Sequence, residues 1–131
     1  MTPDERRAIE ADCTRLIHHY ANLTDQGRWA EIVALYTEDG LMTRPTIGSS
    51  GAVGREALLA AFLARPPRTS QHACANIVVD VESETAARAY SVILLFTSKD
   101  GPPLVGTYQD RFALTPEGWR FAERRGALTF P

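Results

Sequence analysis

A chain of 131 residues can bury one core and is expected to form a single domain over residues 1–131. Hydrophobic residues at 44% and charged residues at 23% are ordinary globular usage, which excludes disorder throughout. Lysine and arginine number 14 against 16 acidic residues, so no basic excess exists to neutralise phosphates, and nucleic acid is not an expected partner.

The opening residues MTPDERRAIE are polar where a secretory leader needs an apolar run. No stretch nears the roughly 20 apolar residues of a spanning helix. A cytoplasmic protein without a membrane partner is therefore expected. Thr2-Pro3-Asp4-Glu5 offers a hydroxyl cap, a proline at the first helical position and a glutamate three residues on. Ile9, Cys13, Leu16, Ile17, Tyr20 and Leu23 then recur at helical spacing, and the helix should stop near Gly27. His18 and His19 fall off this stripe and are read as surface residues. A second helix is predicted from Gly27 to Asp39-Gly40, with Trp29, Ile32, Val33 and Tyr36 on one face.

Residues 41–53 read as a loop around a short strand. Gly54-Arg55-Glu56 opens a third helix, apolar nearly all round, which Pro66-Pro67 terminates. From there the period changes. Residues 71–81, 85–98, 103–114 and 118–128 read as strands joined by short turns, giving a mostly antiparallel sheet. Helices first and strands afterwards predict an α+β fold with the helices on one sheet face. The strand YSVILLF is apolar on both faces, so something should cover the outer one, and a second copy of the chain is the simplest candidate. Cys13 and Cys74 lie far apart in apolar surroundings and read as buried free thiols.

Few residues stand out as chemical. In the strand after TSQ, simple alternation puts His72 and Asn76 on one face, where an imidazole and an amide together suit a small polar ligand. The alternative is a strand-end histidine bonded to a carbonyl. Asp25 sits at a helix C-terminus, where the macrodipole favours cations, and reads either as a turn residue or as a pocket carboxylate. Asp110 interrupts an apolar strand face, so it must pair, with Arg124 or Arg111, or act as a pocket acid. Tyr20 is either packing or a hydroxyl at a cavity wall. No Gly-x-Ser-x-Gly, phosphate loop, Gly-x-Gly-x-x-Gly or His-Glu-x-x-His occurs, and three histidines make a poor metal site.

Taken in order, LTDQGRWAEIVALYTEDG, GREALLAAFL, TSQHACANIVVDVESETA and GTYQDRFALTPEGWRFAERR resemble the SnoaL-like branch of the nuclear transport factor 2-like superfamily. That branch is similar to scytalone dehydratase and to ring-hydroxylating dioxygenase beta subunits. The resemblance implies a cone-shaped, antiparallel-rich curved sheet wrapped around the long first helix, a deep apolar pocket, and homodimers through the outer sheet face. It also implies that Asp25 and His72 are the pocket aspartate and histidine of dehydratase-type members. This chain departs from them in carrying no second histidine in RAYSVILLF and Thr24 before Asp25.

The expected function is proton transfer without cofactor or metal, of dehydratase or isomerase type, on a small cyclic or aromatic-like molecule. His72, Asp25 and Tyr20 are the candidate catalytic residues. Asn76, Trp29, Met42, Phe62, Tyr108 and Asp110 are the candidates for substrate contact. The alternative is a non-catalytic binding or assembly module, in which His72 and Asp25 lie apart or the cavity is filled.

Overall fold

The computed structural model describes residues 1–44 and 51–131. Helix α1 (Pro3–Asp25) begins with the predicted capping box: the Thr2 hydroxyl accepts from the Glu5 N–H at 3.0 Å, and the Glu5 carboxylate accepts from the Thr2 N–H at 3.1 Å. It ends in a Schellman motif. Gly27 takes a left-handed φ of 68°, while its N–H donates to the Thr24 carbonyl and the Arg28 N–H donates to that of Leu23. This glycine fixes where Asp25 leaves the last helical turn.

The second helix is shorter than predicted. α2 covers only Trp29–Val33, and β1 (Tyr36–Thr43) begins where the helical spacing still continues. Tyr36 fits an apolar helix face and a strand equally well, and pairing with the last strand decides between them. Gly40 does not terminate a helix. A Cβ there would lie 2.9 Å from the Tyr36 side chain, so its role is close approach at an irregularity in the strand. The part of the predicted 41–53 loop at 45–50 lies outside the described residues. β2 (Ala52–Val53) and α3 (Arg55–Leu63) follow, with Leu58 and Phe62 buried but Leu63 exposed.

The remaining strands match their predicted spans closely: β3 (Gln71–Val81), β4 (Ala86–Phe96), β5 (Leu104–Thr115) and β6 (Gly118–Leu128). The six strands form one open, curved sheet in the order β2-β1-β6-β5-β4-β3, antiparallel except for β1 beside β6. α1 packs along β3 and sets Cys13, Ile17, Tyr20 and Leu23 into a core with Ile32, Tyr36, Phe62, Phe112 and Phe121. Among the described residues no helix is long and apolar enough to cross a membrane.

β3 breaks the predicted alternation. Its register with β4 shifts between Ala75 and Val78, and Asn76 takes a φ of 51°. Before this bulge His72 and Cys74 face inward; after it Ile77 and Val79 do, while Asn76 and Val78 are exposed. Asn76 therefore serves the backbone, not a ligand on His72's face. Asparagine tolerates left-handed φ and a β-branched residue does not. Asn76→Gly should leave stability nearly unchanged, whereas Asn76→Val should lose about 1–2 kcal/mol in urea unfolding.

Candidate functional site

The Schellman end of α1 and the first residues of β3 converge on a cavity of about 450 Å³. Its walls include Trp29 from α2, Ile93 and Leu95 from β4, Leu104, Gly106 and Tyr108 from β5, and Leu128 from β6. The strand residues are cross-strand neighbours: His72 pairs with Leu95, Leu95 with Leu104, Ile93 with Gly106, and Gly106 with Leu128. One continuous patch of the inner sheet face thus forms the apolar wall.

Asp25 and His72 meet here. His72 Nδ1 lies 2.5 Å from Asp25 Oδ1, and the His72 backbone N–H donates to Asp25 Oδ2 at 2.7 Å. The Ser70 hydroxyl donates to Oδ1 at 2.9 Å, and the Gln71 side-chain amide reaches Oδ2 at 3.5 Å. These donors answer why a carboxylate occupies a helix C-terminus: the start of β3 supplies what the helix end does not. A carboxylate only accepts, so His72 Nδ1 carries the proton. Both residues line the cavity, and with Nδ1 taken by Asp25 the other ring nitrogen, Nε2, is the one left for a ligand there. Both side chains are largely shielded, at 9% and 12% exposure, which strengthens the pairing.

Trp29 and Tyr108, candidates for substrate contact, line the cavity. Five other candidates lie outside its lining. Tyr20 is a core residue whose hydroxyl shares a 2.9 Å hydrogen bond with that of Tyr36 and also reaches Met42 Sδ at 3.8 Å. Burial pushes the Tyr20 hydroxyl up to about 12, the wrong direction for a ready proton donor. Met42 is buried under that hydroxyl, and Phe62 stacks on the inner side of Trp29 with centroids 5.5 Å apart. Asn76 is on the outer surface for the reason given above.

Asp110 takes the structural alternative. It is 2% exposed and accepts from Arg124 Nε at 3.0 Å, while Arg124, 1% exposed, lies over the Tyr108 ring at 3.8 Å and the Tyr20 ring at 4.3 Å. The pair sits behind Tyr108 and braces its ring. Asp110 Oδ2 and one Arg124 Nη are buried without a hydrogen-bond partner. Burial outweighs the attraction of Arg124 and pushes the Asp110 carboxyl up to about 6.

The sequence reading missed the basic residues. Arg44, Arg65 and Arg68 all line the cavity, together with Ser70. The signal was present in LARPPRTSQH, where two arginines bracket the prolines just ahead of His72.

The sequence pattern of the SnoaL-like domain matches residues 5–125. This chain belongs to the SnoaL-like family. The chain is similar in structure to a candidate scytalone dehydratase from Novosphingobium aromaticivorans, at 27% identity and a TM-score of 0.84, over 98% of this chain and 89% of that one. An NTF2-like protein with a cystatin-like fold from the same organism is 28% identical with a TM-score of 0.79, over 88% and 78% of the two chains. A type 2 hexachlorocyclohexane dehydrochlorinase is similar in fold, with a TM-score of 0.84 at 16% identity, over 98% and 90%. No curated protein sequence matches the chain.

Proposed function

We propose that this SnoaL-like protein is a proton-transfer enzyme of lyase or isomerase type, acting on a small cyclic or aromatic-like molecule. The observation that carries this reading is the 2.5 Å contact between His72 Nδ1 and Asp25 Oδ1 at the wall of an accessible cavity. His72 Nε2 removes a proton from a substrate carbon, and Asp25 stabilises the imidazolium that forms. The proton then returns to another carbon, or the electron pair expels a leaving group. The apolar wall excludes water and so strengthens each polar contact. An assembly module would need neither the contact nor the open cavity. Two of the similar structures are named as a dehydratase and a dehydrochlorinase, both eliminations.

A probe elimination tests the reading without the natural substrate. In nitrobenzisoxazole, a base takes the ring C–H, the N–O bond breaks, and a coloured nitrophenolate nitrile forms. The protein should turn it over with saturation kinetics and far faster than free imidazole at equal concentration. A rate no greater than that of imidazole would sink the reading.

The same proposal includes a homodimer through the outer sheet face. There Val78 and Tyr90, cross-strand partners, are 57% and 46% exposed, with Val92, Leu94 and Phe96 alongside. Sedimentation velocity should return a dimer that Tyr90→Arg shifts towards monomer.

A further inference from the structure

The geometry points to a substrate that carries a carboxylate beside its apolar ring, held by Arg65 and Arg68 at the cavity in which His72 acts. This rests on the proton-transfer reading for what happens next, but its own support is independent. Arg44, Arg65 and Arg68 line the cavity, Arg44 with its guanidinium donating to the Ala61 carbonyl at 2.7 Å, and Asp25, the single acidic residue among the described lining residues, is committed to His72. The chain as a whole carries a net charge of -2, so a cationic cavity is a local construction and not a reflection of composition.

Arg65 is the best-built of the three. Its guanidinium carbon lies 4.6 Å from the Phe62 ring centre and 5.8 Å from that of Trp29, on a stacked aromatic pair with planes 7° apart. No carboxylate of a described residue forms an ion pair with Arg65 or Arg68. Pro66-Pro67 fixes the backbone between them, so both cations are presented from a stiff segment. Burial, and then the neighbouring charge of Arg44, lower the Arg65 pKa. A guanidinium stays protonated regardless, so an incoming anion would relieve a cost the folded protein already carries. The planar fork matches a carboxylate with two parallel hydrogen bonds. Apolar walls from Leu95, Leu104 and Tyr108 leave the rest of the ligand to be a ring.

Titration calorimetry with naphthoate, its methyl ester and naphthyl phosphate tests this. Naphthoate should bind about ten- to a hundredfold more tightly than the ester. That preference should weaken with added salt, collapse in Arg65→Met, shrink in Arg65→Lys, and persist in His72→Ala. Arg68→Ala, on an exposed residue, gives a second reading should Arg65→Met fail to fold. Equal binding of acid and ester, binding of neither, or a preference surviving both Arg65→Met and Arg68→Ala would overturn the inference. Tighter binding of naphthyl phosphate would overturn the carboxylate assignment. Arg65-dependent naphthoate binding alongside a dead probe elimination would uphold the anion site and remove the proton-transfer reading instead.

Discussion

His72→Ala should slow the nitrobenzisoxazole elimination about a thousandfold, the middle of the range for loss of a positioned base and equivalent to about 4 kcal/mol of barrier. The melting temperature should move little. Asp25 would still accept the backbone N–H of residue 72 at 2.7 Å and the Ser70 hydroxyl at 2.9 Å, so the helix end and the strand stay tied. The space vacated opens onto the cavity, and added imidazole should recover part of the rate. Asp25→Asn separates orientation from basicity. Its amide is nearly isosteric, but it no longer offers two negative oxygens to the ring N–H and the backbone. The proton on Nδ1 loses its fixed acceptor, and Nε2 ceases to be held unprotonated towards the ligand. A loss of about a hundredfold is expected, not recovered by imidazole. Full activity in His72→Ala with the fold intact would leave the dyad as a structural clamp between α1 and β3.

The architecture was legible because several levels agree along the chain. The Thr2–Glu5 box, the α1 stripe, the change to period two and the turn residues point to one arrangement, and the structure has it. Asp25 and His72 stood out as an acid misplaced on its helix and a histidine opening an otherwise apolar strand, but a turn residue and a strand-end histidine fitted those positions equally, and the shared pocket was implied by the family resemblance. The site's remainder was hidden by effects that arise only in three dimensions. The bulge at Asn76 inverts the phase of β3, and a period-two reading has no means of seeing an inserted residue. Tyr20 and Phe62 are taken up by the core, Tyr20 against Tyr36 and Met42 and Phe62 against Trp29. Arg65 and Arg68 looked like ordinary surface charge after a helix. Only the return of β3 beside α1 brings them to the same hollow as His72.

The Asp110–Arg124 pair gives the second large effect, and its two halves should not be equivalent. Removing one member of a buried pair leaves the other charge uncompensated, at about 3–5 kcal/mol. A carboxyl can escape by binding a proton; a guanidinium cannot. Arg124→Met should therefore be the milder change, because Asp110, already pushed up to about 6, then becomes neutral. It still forfeits the contacts of Arg124 with Tyr108, Tyr20 and Phe121. Asp110→Leu strands a cation that is 1% exposed, and should lose about 4 kcal/mol, or roughly 15 °C in melting temperature. The double variant should recover most of that loss, since apolar groups of similar volume replace a buried pair at little cost. The pH dependence carries a definite sign. Folding raises the Asp110 pKa from 3.8 to about 6, so the native state holds this proton more tightly than the unfolded chain. Its contribution to stability is present below pH 3.8 and is lost as pH rises through about 6. Urea unfolding of the native protein against Asp110→Asn across that window isolates the group, because the amide removes this slope and leaves the exposed carboxylates as they were. A difference that stays flat with pH would mean that the native state binds the Asp110 proton no more tightly than the unfolded chain, and the expected asymmetry between the two single variants would vanish with it.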